Sequence, residues 1–306
     1  MKKIELSILI VNYNTAQLLK NCLQSIYHAI QFGKLTTQSE VIIVDNASND
    51  NSVEILNKVF PQVHLILNKE NLGFAKANNQ AIKKAKGKYI LLLNSDTKVD
   101  KSSLIKLLSM AKEKKEIGVV GGRLLNSDGT FQQSMGFFPN LPQVFFWMSF
   151  LDDLSFLSTL LRPYHITNKD FYQKSQFVDW VSGACMLVKK GTIEKVGLLD
   201  EAIFMYGEEV EWCYRIKQAG FQVVYIPDAK IIHFRGESSG EKFNAGIIAE
   251  FKSILYFYRK HKSLFQQHLV RIILKFGALL RILLFGIIIK HPKKANLYAK
   301  AYQLVG

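Results

Sequence analysis

A chain of 306 residues, 48% of them hydrophobic, is long enough to bury the core of a large α/β domain. Its three cysteines, Cys22, Cys185 and Cys213, are too few and too far apart for a disulfide framework or a metal knuckle, and they fit a reducing cytosol. The net charge is +15, and residues 241–306 hold 12 Lys/Arg against 2 Asp/Glu, which indicates a polyanionic partner such as a membrane or a nucleic acid.

The first hundred residues alternate short apolar runs with segments of helical periodicity. Strands are predicted at residues 6–11, 41–44, 63–67 and 89–93. Helices are predicted at residues 16–30 with Thr15 as the N-cap, in the segment that ends at residue 59, and at residues 74–86 before Gly87. The first run is too short for a secretory signal, so we expect a cytoplasmic protein. The alternation predicts an α/β fold with a doubly wound, mostly parallel sheet.

Polar residues follow the ends of these strands, where open α/β sheets bind their ligands. Asp96 follows the fourth strand, and we predict that it holds a divalent metal against a sugar-nucleotide diphosphate. Asp45 follows the second strand and is predicted to accept a hydrogen bond from a nucleobase or a ribose hydroxyl. An Asx turn or a helix cap needs the same residue types, and this alternative stays open. No G-x-G-x-x-G or Walker loop is present, so neither a dehydrogenase nor a P-loop enzyme is supported.

Three carboxylates, Glu208, Glu209 and Glu211, stand at the start of a helix predicted at residues 200–220. Crowding raises the pKa of one of them, as an effective general base requires, although a helix N-terminus also tolerates such a cluster without catalysis. Adjacent residues point about 100° apart on a helix, so Glu208 and Glu209 cannot share one task. We take Glu209 as the base and Glu208 or Glu211 as its support.

His233 ends the last of three further strand-like runs, predicted at residues 177–188, 223–226 and 230–233. Near Asp96 its imidazole would complete a site for Mg or Mn, although a lone histidine is more often packed or solvated. The aromatic segment at residues 137–176 is either an insertion that packs on the core or a rim that faces a lipid-linked substrate.

Residues 264–289 have the pattern of an amphipathic helix. Arg271, Lys275 and Arg281 share one sector, and the opposite side is apolar, with Leu269, Ile273, Phe276, Leu280, Leu283 and Ile287. We expect the helix to lie in a membrane interface, where Lys290, Lys293 and Lys294 meet anionic headgroups. The alternative is a helix that covers the domain's own core. A nucleic-acid arm is disfavoured, because the basic residues alternate with Leu and Ile.

Six motifs in this order resemble a family 2 glycosyltransferase of the rhamnosyltransferase-like branch. They are S-I-L-I-V-N-Y-N-T, V-D-N-A-S-N-D, N-L-G-F-A-K-A-N-N-Q-A-I, L-L-L-N-S-D-T, W-V-S-G-A-C and F-M-Y-G-E-E-V-E-W, with a later histidine. The resemblance covers about residues 6–239. It implies a GT-A fold and an inverting, metal-dependent transfer from a nucleoside-diphosphate sugar.

The resemblance also assigns roles to residues of this chain. It implies that Glu209 is the base with Glu208 beside it, that Asp96 and His233 bind Mg or Mn, and that Trp180, Gly183 and Glu211 line the acceptor pocket. The residues implied at the donor nucleotide are Val11, Asn12, Asn14, Asp45, Gly73, Asn79, Ser95 and Asp96. Three positions depart from the pattern: Asn94 replaces the first acid of the D-x-D motif, and Glu209 and Glu211 stand where the family has Asp.

We therefore expect a glycosyltransferase that uses dTDP-rhamnose or a UDP-sugar in surface polysaccharide biosynthesis and acts on a glycan or lipid-linked acceptor. It would lie on the inner face of the cell membrane, bound to the anionic membrane surface and to no nucleic acid. The expected domains are residues 1–240, with a nucleotide half (1–125) and an acceptor half (126–240), and a basic helical tail (241–306). A catalytically inactive scaffold that binds sugar nucleotides remains an alternative. A sugar nucleotidyltransferase is less favoured, because residues 12–15 offer no glycine-rich phosphate loop.

Overall fold

The computed structural model describes residues 3–153, 162–234 and 242–306, so residues 154–161 of the predicted aromatic segment lie outside the described residues. The chain forms two compact units. Unit 1 consists of Met1–Met135, Lys169–Phe204 and Glu209–Ser238, and unit 2 of Gly136–Asn168, Met205–Glu208 and Ser239–Gly306. Unit 1 contains the sheet, and the described part of unit 2 is mainly helical. The expected domain boundary at residue 240 stays a prediction.

The strands and helices are numbered here in chain order. The strands are β1 (Leu6–Asn12), β2 (Ser39–Asp45), β3 (His64–Leu67), β4 (Tyr89–Asn94), β5 (Thr97–Val99), β6 (Ile117–Leu125), β7 (Met135–Gly136), β8 (Gln176–Val178), β9 (Trp180–Val181), β10 (Cys185–Lys189) and β11 (Gln222–His233). The helices are α1 (Ala16–Phe32), α2 (Ser52–Val59), α3 (Phe74–Lys84), α4 (Ser103–Glu113), α5 (Leu141–Met148), α6 (Lys190–Val196), α7 (Glu208–Gln218), α8 (Lys242–His261), α9 (Leu264–Leu283) and α10 (Pro292–Leu304).

The main sheet of unit 1 has the strand order β3-β2-β1-β4-β10-β6-β11-β5, with β8 beside β11. The four strands predicted in the first hundred residues are confirmed, and they pair in parallel. Strand β10 then runs antiparallel between β4 and β6. Strands β1 and β4 are buried almost throughout, as expected for central strands that helices cover on both faces. The α/β prediction is confirmed.

Helix α1 begins after Thr15, as predicted, but the Thr15 side chain does not cap it. The Thr15 hydroxyl donates to Asn12 Oδ1 at 2.5 Å, and the N–H of Ala16 donates to Asp50 Oδ2 at 2.9 Å. Asp50 thus supplies the negative charge that a helix N-terminus favours. Burial opposes ionisation of Asp50, but hydrogen bonds from the Ser52 hydroxyl and from the N–H groups of Ala16 and Ser52 lower its pKa below the usual value.

Helix α7 is shorter than the predicted helix at residues 200–220, because it begins at Glu208. Tyr206 and Gly207 precede it with φ of 69° and 92°, a left-handed conformation that a right-handed helix cannot include. A Cβ atom at residue 207 would lie 2.6 Å from the Ser253 Cβ, so both the conformation and the space require glycine.

The strands of the second half also differ from prediction. The run at residues 177–188 is divided into β8, β9 and β10. The runs at 223–226 and 230–233 form one strand, β11, whose register against β6 shifts between Tyr225 and Lys230. Pro227 lies in this irregular part, and it has no N–H to donate to a neighbouring strand.

In unit 2, helix α9 contacts α5, α8 and α10. The tail predicted as one helix at 264–289 is in fact α9, a π-helical turn at Leu284–Ile288 and then α10. Among the helices that the structure describes, none is long and apolar enough to cross a membrane.

Arg281 corrects the prediction for the basic sector of this tail. It is buried, and it donates to the carbonyl oxygens of Met148 at 2.6 Å and Trp147 at 2.7 Å, in the last turn of α5. Its guanidinium carbon also lies 4.1 Å from the centre of the Phe150 ring. A cation is stabilised both at a helix C-terminus and over an aromatic face. Arg281 therefore stabilises unit 2 and is not available to contact headgroups.

The three cysteines are free thiols and are all buried. Burial raises the pKa of Cys22 and of Cys185 to about 12 and also raises that of Cys213. Because the thiolate is the reactive form, we expect the native protein to react with a disulfide reagent far more slowly than the unfolded chain at about pH 8. The measurement is a timed thiol titration with and without denaturant. Rapid reaction of one thiol in the native protein would contradict the burial of all three.

Candidate active site

The carboxyl ends of β1, β2 and β4 meet at one edge of the sheet in unit 1. Asn12 pairs with Asp45 in the register of β1 with β2, and Val11 pairs with Asn94 in the register of β1 with β4. Polar residues picked out from separate motifs therefore lie side by side. In open α/β sheets this edge is where ligands bind.

Asp45 is the centre of a buried hydrogen-bonded cluster at this edge. Its carboxylate accepts from Asn12 Nδ2 at 2.8 Å and from the N–H of Ser48 at 2.9 Å. The bond from Ser48 is the Asx-turn contact that the sequence left open. It leaves lone pairs for a ligand, because a carboxylate offers about four acceptor directions. Asn14 belongs to the same cluster, since its N–H donates to Ser48 Oγ at 2.9 Å.

Ser95 extends this cluster toward β4. Its hydroxyl oxygen is 2.9 Å from Thr15 Oγ1, which in turn donates to Asn12 Oδ1. Three other residues predicted at the donor nucleotide are thus linked to Asn12: Asp45 directly, Ser95 through Thr15, and the backbone N–H of Asn14 through Ser48.

Asp96 and His233, the two predicted metal ligands, are in contact. Asp96 Oδ1 is 3.2 Å from His233 Nε2, and both side chains are buried. The backbone fixes this contact, because β11 pairs with β5 and the N–H of Phe234 donates to the carbonyl oxygen of Asp96 at 2.8 Å. The fold therefore brings together two residues that are far apart in sequence.

Gln132 determines which nitrogen of His233 carries the proton. The Gln132 amide nitrogen donates to Asn126 Oδ1 at 2.8 Å and to the His233 carbonyl oxygen at 3.2 Å, so its Oε1 is the atom that faces His233 Nδ1 at 2.7 Å. An amide oxygen only accepts, so Nδ1 is the donor and neutral His233 has its lone pair on Nε2, toward Asp96. Sequence reasoning missed Gln132, because it follows an ordinary turn and no motif includes it.

The residues present fit a divalent cation at this place. Asn94 Nδ2 is 3.2 Å from His233 Nε2, and Asn94 Oδ1 is buried without a hydrogen-bond partner among the described residues. A carboxylate, the Nε2 lone pair of an imidazole and an amide oxygen are suitable ligands for Mg or Mn. Within the described ranges, no group of three or more His, Cys, Asp or Glu side chains could hold a metal.

Gly73 and Gly183 both lie against the start of α3. Gly73 has φ of 80°, and a Cβ atom there would be 2.5 Å from the carbonyl oxygen of Phe204, which accepts from the N–H of Phe74 at 2.7 Å. A Cβ atom at Gly183 would be 3.3 Å from the Phe74 ring. Trp180, also predicted in the acceptor pocket, is only 6% exposed. The glycines therefore permit a close approach of three segments, and contact of Gly183 and Trp180 with an acceptor stays a prediction.

Asn79 is fully engaged with the segment before α7. Its Nδ2 donates to the Leu199 carbonyl oxygen at 2.8 Å and to Glu201 Oε1 at 3.0 Å, and its Oδ1 accepts from the N–H of Leu199 at 3.1 Å. The side chain thus ties α3 to this segment, and its predicted role at the nucleotide stays a prediction.

The three glutamates at the start of α7 have different surroundings. Glu211 is buried, and its carboxylate accepts three hydrogen bonds of 2.9–3.0 Å from Arg215. Arg215 also donates to the carbonyl oxygens of Val196 and Leu198, so Glu211 supports this region, and its contact with an acceptor stays a prediction. Glu208 is buried as well, whereas Glu209 is half-buried. Of the three, Glu209 is the most exposed, and its role as the base stays a prediction.

Comparison with known proteins identifies the family of this chain. The family model of glycosyl transferase family 2 matches residues 7–189, more than half of the chain. The chain belongs to glycosyl transferase family 2. It is therefore a glycosyltransferase.

Two relatives of this transferase have names that specify rhamnose. An N-acetylglucosaminyl-diphospho-decaprenol L-rhamnosyltransferase of Mycobacterium tuberculosis is 26% identical over 242 residues, which cover 73% of this chain and 75% of that protein. The dTDP-rhamnosyl transferase RfbF of Shigella flexneri is 28% identical over 204 residues, which cover 65% of this chain and 61% of that protein.

Solved structures confirm the predicted GT-A fold of the transferase. The mannosyltransferase PcManGT from Pyrobaculum calidifontis, in complex with GDP-Man and Mn2+, aligns with a TM-score of 0.59 at 16% identity, covering 100% of this chain and 82% of that one. This chain covers only about half of two further matched structures, 49% of one and 48% of the other.

The contact of Gln132 with His233 gives a testable prediction for the transferase. We expect Gln132→Met to weaken Mn2+ binding by about 10–100-fold, as is common when the hydrogen-bond partner of a ligating histidine is lost. In the metal-free protein, the 15N chemical shift of His233 Nδ1 should also change, because Nδ1 loses its hydrogen-bond acceptor. Gln218→Met, on the exposed last position of α7, is the matched control. Unchanged shifts and Mn2+ affinity would show that Gln132 does not orient His233.

Proposed function

We propose that this transferase is inverting and metal-dependent and moves a sugar from a nucleoside diphosphate, dTDP-rhamnose or a UDP-sugar, to a hydroxyl of a glycan or lipid-linked acceptor. The observation that carries the proposal is the 3.2 Å contact between Asp96 and His233 at the carboxyl edge of the sheet. The names of the two relatives support rhamnose as the sugar, and one of them supports a lipid-linked acceptor.

The donor would bind along this edge. Asp45, with Asn12 and Asn14 beside it, would accept hydrogen bonds from the base or the ribose. Val11, Gly73, Asn79 and Ser95 complete the predicted nucleotide site. Asp96 and His233, with the amide oxygen of Asn94 close by, would hold Mg or Mn at the diphosphate. When bound, such a cation neutralises the negative charge that develops on the leaving nucleotide diphosphate.

The proposed chemistry is a single displacement. Glu209 takes the proton of the acceptor hydroxyl, the hydroxyl oxygen forms a bond to the anomeric carbon, and the bond from that carbon to the diphosphate oxygen breaks. The attack comes from the face opposite the leaving group, so the anomeric configuration inverts, as in inverting glycoside hydrolysis. Glu208 and the ion pair of Glu211 with Arg215 would hold the start of α7 in position.

We place this reaction in surface polysaccharide biosynthesis, on the cytoplasmic side of the cell membrane, with the protein bound peripherally. The low number of cysteines and the basic C-terminal region support this location.

A ligand screen followed by product analysis tests the proposal. We expect UDP-, dTDP- or GDP-sugars to raise the melting temperature in the presence of Mn2+, and one donor, dTDP-rhamnose foremost, to do so most. The donor selected in this way should then be transferred or slowly hydrolysed, with an NMR spectrum that shows the inverted configuration. Stabilisation by a donor without any turnover would instead support the inactive sugar-nucleotide-binding protein.

A further inference from the structure

Helix α9 of unit 2 is apolar on two opposite sides. Its buried side consists of Val270, Leu274, Gly277, Ala278 and Arg281. The exposed large apolar residues Phe265, Ile272, Phe276, Leu279 and Leu283 form what we call the outer face. At 100° per residue the outer face occupies a sector of about 60°, centred opposite the buried side. Two of its members, Phe265 and Ile272, are 71% and 63% exposed.

The chain continues from the outer face into a second exposed apolar group. Ile287 and Ile288 are the last two residues of the π-helical turn, and they are 67% and 74% exposed. Ile289, which follows them, is also exposed. We call these three isoleucines the tip. Exposed Lys290 and Lys293 follow directly, before and within the first turn of α10. Consecutive exposed apolar residues of this kind are unusual on the surface of a protein that meets only water.

The charge around these residues has one sign. Residues 263–306 contain seven Lys and Arg and no Asp or Glu. Arg281 is buried and used in the packing of unit 2, whereas Arg271, Lys290, Lys293 and Lys300 are exposed. The partner that fits this surface is therefore apolar in its interior and negatively charged at its surface.

We propose that the outer face and the tip dock on an anionic lipid bilayer, with the tip isoleucines among the acyl chains and Lys290 and Lys293 at the phosphates. A bilayer satisfies both requirements at once, because its headgroups attract lysine and its interior accepts isoleucine. A second copy of this chain fits less well, because two copies of the same basic surface would face each other and repel. The proposal deepens the peripheral membrane location proposed above by naming the residues that carry it, and it does not depend on the transferase reaction.

The structure changes which side of α9 meets the membrane. Phe276, Leu283 and Ile287 of the predicted apolar side are exposed, but Leu269, Ile273 and Leu280 are half-buried. Phe265, Ile272, Leu279 and Ile288, which the sequence pattern did not single out, take their place.

Vesicle flotation without donor or metal tests the proposal. We expect the full chain to float with phosphatidylcholine–phosphatidylglycerol vesicles and much less with phosphatidylcholine alone. The double variant Lys290→Gln/Lys293→Gln should bind about 25-fold more weakly, at about fivefold for each lysine near an anionic surface. Lys83→Gln/Lys98→Gln, two exposed lysines of unit 1, is the control with the same loss of charge. Equal weakening by both double variants would indicate nonspecific charge attraction and would overturn the proposed docking surface.

A fluorescent probe tests the position of the tip. In Ile288→Trp, we expect the emission maximum of the additional tryptophan to shift to shorter wavelength on anionic vesicles. Brominated acyl chains should quench this emission. Leu67 is 59% exposed on β3 of unit 1, and the tryptophan of Leu67→Trp should show neither the shift nor the quenching. Ile287→Ser/Ile288→Ser should reduce vesicle binding by more than about tenfold while leaving the melting temperature unchanged, because both side chains are exposed.

The remaining outcomes are also decisive. A wild-type dimer in light scattering that Ile287→Ser/Ile288→Ser converts to a monomer would assign the tip to a second copy and overturn the proposal. Unchanged vesicle binding by that variant would overturn it too. Because these measurements need neither donor nor Mn2+, failure of the transferase proposal would leave their results unaffected.

Discussion

Replacement of Glu209 by glutamine is expected to lower kcat by about 10²–10⁴-fold while the dissociation constant of the donor stays nearly unchanged. Glutamine keeps the size of the side chain but cannot take a proton from the acceptor hydroxyl. The donor would be held elsewhere, by Asp45 at the nucleotide and by Asp96 with His233 at the diphosphate. Steady-state transfer rates and calorimetric donor binding with Mn2+ measure the two effects separately.

Two further variants make this experiment specific. Glu194→Gln, on the exposed side of α6, is the matched control and should behave as wild type. Glu208→Gln tests the assignment between neighbours, because Glu208 is buried beside the half-buried Glu209. If Glu208→Gln lowers kcat more than Glu209→Gln does, and both variants are equally stable, then Glu208 is the base. A parallel loss of donor affinity in Glu209→Gln would make Glu209 a binding residue.

The fold of the first hundred residues could be read from the sequence because its determinants are local. Short apolar runs and helical periodicity both act over fewer than about twenty residues, and they predicted β1, β2, β3 and β4 with small errors at the ends. The cap of α1 was wrong for a non-local reason. Thr15 has the right side chain and position, but Asn12 binds its hydroxyl, and the capping carboxylate comes from Asp50 in the loop after β2.

The start of α7 has a local sequence signal that helical periodicity does not include. Gly207 stands directly before the glutamates, and glycine is the residue that adopts a positive φ at a helix boundary without strain. The sequence pattern treated it as an interior position of a longer helix. The charge cluster is evident in the sequence, but only the structure separates Glu211, bound by Arg215, from the more accessible Glu209.

Gln132 and Arg281 could not have been assigned from sequence, because their partners are set by tertiary structure. Gln132 contacts His233 because β11 pairs with β6 in the sheet. Arg281 fits the basic sector of an amphipathic helix, but the last carbonyl groups of α5 are its actual partners. The contact of Asp96 with His233 was anticipated because the order of the family motifs, rather than periodicity, placed both residues at one site.

Replacement of Asp96 by asparagine is the second large expected effect. Asparagine has nearly the same shape but no negative charge, so we expect Mn2+ affinity to fall by about 100-fold or more. Loss of a residue that only hydrogen-bonds to a metal ligand commonly costs about 10–100-fold in affinity, and loss of a ligand itself should cost at least as much. Electron paramagnetic resonance of Mn2+, with and without UDP or dTDP, measures this without turnover. Asp128→Asn, in an exposed turn, is the control and should leave the affinity unchanged.

A double-mutant cycle decides whether Asp96 and His233 hold the same cation. If they do, either single substitution removes most of the site. The Mn2+ affinity of Asp96→Asn/His233→Gln should then be only slightly lower than that of the single variant with the lower affinity. Two side chains that act independently would instead give additive losses, since substitutions without a shared partner usually add. Because the two side chains are 3.2 Å apart, we expect the non-additive result, and additive losses would remove the proposed metal site.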